Sequence, residues 1–365
     1  MESADKQFSA KIRVNGEERT EFYPCVQRIT VNEDLDVGAS FQFRLALCRN
    51  DDGSWPYLEE DEMKFWNRVT IIAAFPDVSD VILDGYITHV HVQTTPQEAS
   101  MYADFEGVDP SYVMNLQHIT KVWTGQTYEQ IAQQIIQNYK LNANIASPDA
   151  SAGGSSGPPP SVTQRSTDLR FLRELARRKG YEFYVRGGDA YFQPPDLTGA
   201  PQKAVVVNFG DKTNCYDLRI SADGTRPTEA MITRIDPDTG QAQTVSTKQS
   251  GLTPTGTTDA ADSRGYGVPP TRVVLRRHAP TTEAEMNDLV RSTMVRYGFW
   301  VKAVGTVNGL RYGKVLRSKK LVGILGLGVK AYNGNYYVKK VTHTLTSSTY
   351  SMQFEAYRNR SGELG

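Results

Sequence analysis

His89 and His91 stand two residues apart in the run Val81–Val92, so on a strand both imidazoles point to the same face. Two histidines so placed begin a metal site, but zinc asks for three or four ligands. Cys25, Cys48 and Cys215 are scattered, and His118, His278 and His343 each stand alone. The pair therefore reads first as strand surface. Asp236-Pro237-Asp238-Thr239-Gly240 opens like a calcium loop but lacks the third acid and the distal glutamate, and between two β runs it reads as a hairpin turn. Gly323-Ile324-Leu325-Gly326-Leu327-Gly328 has neither dinucleotide spacing nor the P-loop lysine, and reads as bends or bulges in a strand. HExxH and CxxC are both missing from the sequence. The expectation is a chain with no catalytic residues, no cofactor and no resident metal. A carboxylate pair built from distant segments would leave no such spacing.

The 365 residues exceed one ordinary core and imply two or three domains. Hydrophobic residues are 39% and charged residues 22%, enough for packed cores under a charged surface. Forty-one basic residues balance 41 acidic ones, which argues against a dedicated nucleic-acid binder. The nearest thing to a charge run, Glu59-Glu60-Asp61-Glu62, reads as a solvated loop. Three widely spaced cysteines give no disulfide framework. Met1–Lys11 has no apolar signal core, and no apolar stretch reaches membrane-spanning length. The chain is expected to be made in the cytoplasm and not to insert into a membrane.

The elements that would position any site are mostly strands. Phe8, Ala10, Ile12 and Val14 alternate with polar residues, as do Phe41, Phe43, Leu45 and Leu47. Residues 1–116 are thus expected to form a first β-barrel domain. Residues 117–203 form an α/β insert. Its first helix opens at Thr127, with Gln130 completing a capping box. A Ser/Gly/Pro-rich loop at 147–161 has too little apolar surface to order itself. A second helix, capped by Ser166 or Thr167, carries Leu169, Leu172 and Leu175 on one stripe and ends at Gly180. Lys179, just before that glycine, is expected to contribute little unless it meets a partner. A hairpin follows, turning at Gly187-Gly188. Residues 204–365 form a second β domain with a Thr/Gly/Ser-rich loop at 247–270 and a helix at 282–297.

Two segments together resemble a known family. Ser166–Val185 (STDLRFLRELARRKGYEFYV) is similar to the S-D-L-x-F-L-x-x-L-A-x-x-x-G-Y segment of phage late control protein D, also found in the hub portion of type VI secretion spike proteins. Downstream, the helix at 282–297, then Gly305, Gly313 and Gly334–His343 (GNYYVKKVTH), follow that family's order. The residues that carry the resemblance are Leu169, Leu172, Leu175, Gly180, Tyr181, Gly334, Tyr337, Val338 and His343. Each also reads as core or turn. Lys314–Lys320 departs from the pattern, since many members have Pro-Gly there, and leaves the local turn open.

The resemblance implies two tube-like β-barrels plus an α/β insert, and a structural baseplate hub. The hub would be a homotrimeric adapter between a threefold spike and a sixfold inner tube, nucleating tube assembly. Implied partners are copies of itself, a separate spike-tip protein, the inner tube or its initiator, and other baseplate proteins, with no nucleic acid. Its place would be a phage tail or tail-like particle. The separate spike is an expectation from the few residues after Arg358. The alternatives are a carbohydrate-binding tail fibre or tailspike and a hub-associated glycosidase.

Overall fold

The computed structural model describes residues 9–47, 53–54, 63–76, 78–97, 100–147, 161–236, 239–265, 267–276 and 282–362. The loop expected at 147–161, apart from its two end residues, lies outside these, as do Cys48, Glu59–Glu62, Pro237, Asp238 and His278.

The first β region holds β1 (Ser9–Val14), β2 (Glu17–Glu18), β3 (Val26–Asp34), β4 (Gly38–Ala46), β5 (Arg68–Ala74), β6 (Ser79–Gln93) and β7 (Tyr102–Val108). There follow β8 (His118–Trp123), α1 (Tyr128–Asn138), β9 (Asn142–Ile145), β10 (Val162–Thr167), α2 (Asp168–Lys179), β11 (Glu182–Arg186) and β12 (Asp189–Gln193). The rest is β13 (Gln202–Val206), β14 (Cys215–Ala222), β15 (Glu229–Ile235), β16 (Ala242–Thr247), β17 (Arg272–Leu275), α3 (Glu283–Gly298), β18 (Val301–Asn308), α4 (Gly309–Tyr312), β19 (Leu321–Leu325), β20 (Gly334–Leu345) and β21 (Tyr350–Arg358).

Alternation decides the strands. Phe41, Phe43 and Leu45 of β4 point inward, and Phe43 stacks on Phe105 of β7 at 5.1 Å between ring centres. The first and last β regions merge into one 13-stranded sheet, with β14-β18-β21-β20 continuing into β3-β4-β7-β6-β5-β1-β2. The splice is β20. Its first residues pair with β19, and after an irregularity between Val338 and Lys340 the strand pairs with β3, from Lys340↔Asp34 to Leu345↔Ile29. One core runs under both halves. Among the described residues no ladder closes on itself, so the expected pair of closed barrels is observed as two halves of an open-edged sheet. The mainly β architecture with an α/β insert is as expected.

The insert packs α1 and α2 over the small sheet β11-β12-β9. Thr127 and Gln130 cap α1 reciprocally. Thr167 caps α2, and Thr282 caps α3 by accepting from the Glu285 amide. Gly180 ends α2 at φ +75°, and a Cβ there would meet Ser292 Cα of α3 at 3.1 Å. Leu169, Leu172 and Leu175 are all buried in the insert core. Thr247 closes β16, and the described residues of 248–270 hold no named strand or helix, as expected of a loop, but they lead into β17, which pairs in parallel with β15; its four residues are too few for a periodicity to show. The Gly323–Gly328 run brings two backbones together, since a Cβ on Gly326 would lie 1.9 Å from the Val207 carbonyl oxygen. Among the described residues no helix is long and apolar enough to cross a membrane.

Lys179 does meet a partner. Its ammonium lies 3.0 Å from Asp288 Oδ2 of α3 and 3.8 Å from Glu129 Oε1 of α1, tying three helices together. Burial pushes the Asp288 carboxyl up, and Lys179 is the first charge that opposes it. Lys179→Ala should therefore cost about 1–3 kcal/mol, rather than nothing, because it strands a half-buried carboxylate. Leu172→Asp, at a position with no exposed surface, should cost roughly 3 kcal/mol or more. Thermal melts of both variants check this; a Leu172→Asp chain that melts with the parent would show that α2 is not packed as described.

Candidate functional site

The splice in β20 is where buried charge collects. Glu33 falls on the inward face of β3, in step with Ile29 and Val31, and is 5% exposed. A carboxylate there must be paired and hydrogen-bonded. Arg317 Nη1 lies 3.1 Å from Oε1, while Oε2 accepts from the Ser318 amide at 2.9 Å and the Ser318 hydroxyl at 2.8 Å. Arg317 also reaches Asp80 at 2.7 Å and the carbonyls of Ile82 and Val81, all on β6. Arg186, at the end of β11, donates to the Ser318 carbonyl at 3.0 Å and comes within 4.0 Å of Glu33. Burial pushes the Glu33 carboxyl up and His343, Arg317 and Arg186 push it down; the opposing charges win, and it sits well below the usual carboxylate range.

The segment that supplies Arg317 and Ser318 is the one that departs from the family pattern. Lys319 holds φ +59° and donates its amide to the Val338 carbonyl at 2.6 Å, which turns the chain into β19. Its ammonium is 4.6 Å from the centre of the Tyr184 ring, and burial lowers its pKa.

His343 is fully buried on β20 beside Val341 and Leu345. Its Nδ1 pairs with the Tyr350 hydroxyl at 3.0 Å. Its Nε2 is 3.6 Å from Glu33 Oε1, too far for a hydrogen bond. Burial lowers its pKa, against the pull of Glu33.

A second buried carboxylate lies on the other side of the splice. Glu182, at the start of β11, accepts from the Tyr337 hydroxyl on β20. The two segments that carry the family resemblance thus meet, with Gly180 and Tyr181 leading directly into Glu182. Burial raises the Glu182 carboxyl to about 7 against the pull of Tyr337, Lys339 and Lys319. Val338 is core, Tyr181 packs edge-on to Phe192, and Gly334 opens β20.

His89 and His91 lie on the exposed end of β6 with their rings stacked, His91 3.8 Å from Glu106. Among the described residues no group of three or more His, Cys, Asp or Glu could hold a metal. Cys215 is buried, and burial pushes its thiol up to about 11, far from a reactive thiolate. Sequence reasoning missed Glu33, Asp80, Glu182, Arg186, Arg317 and Ser318. The one trace they left was the irregular Lys314–Lys320 segment. Chemically, the arrangement is a set of struts between strands, with both buried carboxylates already bonded.

Structures with this architecture are known. The 43 kDa tail protein of prophage MuSo2 from Shewanella oneidensis superposes with a TM-score of 0.65 at 13% identity, covering 97% of this chain and 99% of that one. A tail protein from Neisseria meningitidis gives 0.69 at 12% identity, covering 96% and 97%. An E. coli component of the type VI secretion system, itself described as similar to the T4 tail proteins gp27 and gp5, gives 0.55 at 11% identity, covering 98% and 79%. At these identities the likeness is one of fold: the chain has the phage tail-protein fold of these relatives over nearly its whole length. No curated protein matches it. A family model described as the Alg8 N-terminal domain matches residues 4–347.

The two carboxylates bias stability in opposite senses. Glu33 contributes stability above the ordinary carboxylate pKa and loses it as pH falls through its lowered value. Glu182 binds its proton more tightly folded than unfolded, so stability falls as pH rises from about 4.5 to about 7, by on the order of 3 kcal/mol. Glu182→Gln should flatten that slope and raise Tm at pH 8 more than at pH 5. Melts across that range decide it, and an unchanged slope would mean Glu182 is not the buried acid. Arg317→Met, which leaves Glu33 underpaired, should cost about 3–5 kcal/mol at neutral pH in the same assay.

Proposed function

The chain belongs to the Alg8 N-terminal domain family, and we propose that it is a structural hub subunit of a phage tail or tail-like injection particle. The observation that carries the reading is the spliced sheet. Two β regions from opposite ends of the chain share one ladder through β20 and β3, and among the described residues that ladder ends at β14 on one side and at β1 and β2 on the other, with β13 a further edge beside β19. Open edges of opposite identity suit a head-to-tail contact, and such contacts make rings when the rotation closes. The fold shared with tail proteins supports the same reading.

In this reading residues 1–116 and 204–365 are two tube-like modules and residues 117–203 are the insert between them. Three copies present six modules, so a homotrimer converts the threefold symmetry of a spike to the sixfold symmetry of an inner tube and starts tube assembly. The partners are the spike, the tube or its initiator and other baseplate proteins. Leu169, Leu172, Leu175, Gly180, Tyr181, Gly334, Tyr337, Val338 and His343 are structural in this role, and catalysis is no part of it. Near the free edge, Phe209 is 59% exposed and Tyr216, on β14 itself, 64%, more apolar surface than a solvated edge needs.

Native mass spectrometry of the chain, alone or with its spike, should give a trimer. The double variant Phe209→Glu/Tyr216→Glu should melt within about 3 °C of the parent, as exposed sites do, yet fail to form the ring. A strictly monomeric subunit inside an assembled particle would refute the hub assignment.

A further inference from the structure

Between α2, α3, the start of β11 and β20 lies a cleft of ≈ 790 Å³. Its floor is apolar where Ala176, Leu289, Val295 and Phe299 line it. Its rim is cationic, with Arg170, Arg173, Arg177, Arg178, Arg296 and Lys339 beside the acids Asp36, Glu174 and Glu182 of the lining, and with Asp109 and Asp34 also acting on Arg173. Two of those acids are engaged: Glu174 with Arg178 at 2.6 Å, and Glu182 with Tyr337. Arg170, Arg177 and Arg296 are exposed, and among the described residues they form no ion pair. Arg173 gives Nη2 to the Val37 carbonyl at 2.9 Å, while its Nε is buried without an acceptor. Lys339 lies 4.4 Å from the centre of the Phe299 ring and 5.0 Å from that of Tyr357.

Cations in the last turn of a helix answer its dipole, which accounts for Arg177 and Arg296 along their helices. A helix end carries only about half a charge, too little to balance this rim. The dipole also gives no reason for an apolar floor beneath the charges. The chain as a whole has no basic surplus, so the cleft is a local concentration and not a nucleic-acid footprint.

We propose that this cleft receives an acidic peptide segment of another protein, its carboxylates on the arginine rim and an apolar side chain on the floor between α2 and α3. That the other protein belongs to the same particle rests on the hub reading; the binding itself does not. Placed there, the segment would bridge the insert and the last β region, since α2 and α3 each supply one wall.

The test is a titration of the full chain, followed by fluorescence anisotropy, with a short labelled peptide of repeated Leu-Glu-Glu. Its Leu-Gln-Gln counterpart and a single-stranded oligo-dT are the comparison probes. The glutamate peptide should bind, more weakly as salt rises, and the glutamine peptide should not. The triple variant Arg170→Ser/Arg177→Ser/Arg296→Ser should lose at least about tenfold in affinity, while melting with the parent. The proposal is overturned if the glutamate peptide does not bind, if it binds the triple variant equally, or if the glutamine peptide binds as well. It is overturned in favour of nucleic acid if oligo-dT displaces the glutamate peptide and binds more tightly with the same dependence on the three arginines. Ring formation plays no part in these measurements, so the hub reading and the cleft assignment fail separately.

Discussion

A carboxylate with almost no access to water, Glu33, stands at the point where the longest strand of the second β region changes neighbours. Desolvating it costs several kcal/mol unless every lone pair is engaged. That demand organises what surrounds it. Arg317 and Ser318 must be delivered to one spot, so the chain before β19 takes a tight path through Lys319 at positive φ. Arg317 then has hydrogen bonds left over and spends them on β6, while Arg186 brings the insert to the Ser318 carbonyl. One buried charge thereby fixes the relative placement of β3, β6, β11 and β19. Apolar residues of equal volume would fill the space as stably but would not demand a single arrangement, the sense in which a buried ion pair specifies more than it stabilises.

The second contact of this kind, Tyr337 with Glu182, locks the insert to β20 on the other side of the splice. Farther out, Lys179 binds α2 to both α1 and α3, and the missing side chain of Gly180 lets α3 approach. The insert is therefore held to the last β region by polar contacts around a small apolar junction, not by a core of its own shared with the sheet.

What could be read from the sequence follows from range. Helix caps and stripes are local, so Thr127, Thr167, Thr282 and the leucines of α2 announce themselves within a few residues. The alternation of β4 does the same. Glu33 and Arg317 stand 284 residues apart, and neither has a spacing that marks it. A glutamate near the end of a strand also looks like the solvent-facing member of an alternating pair. The partner that Lys179 meets is hidden for a similar reason: its acceptor, Asp288, belongs to a helix more than a hundred residues away. The splice itself was invisible because β20 reads as one strand whichever neighbours it has. The resemblance pointed to Tyr337 and to Gly180–Tyr181 as separate landmarks, and in the fold they come together at the Tyr337–Glu182 contact.

The change of neighbour along β20 has a mechanical consequence. A strand bonded to β19 near its start, to β3 near its end and to β21 throughout is a lap joint. A pull applied along β20 loads the β3 ladder, from Lys340 to Leu345, in shear, so its hydrogen bonds share the load and must give way together. A pull across the sheet would peel them one at a time. The joint is thus stiff along the strand and weak across it, and Glu33 with Arg317 sits at the end of the overlap, where peeling would begin.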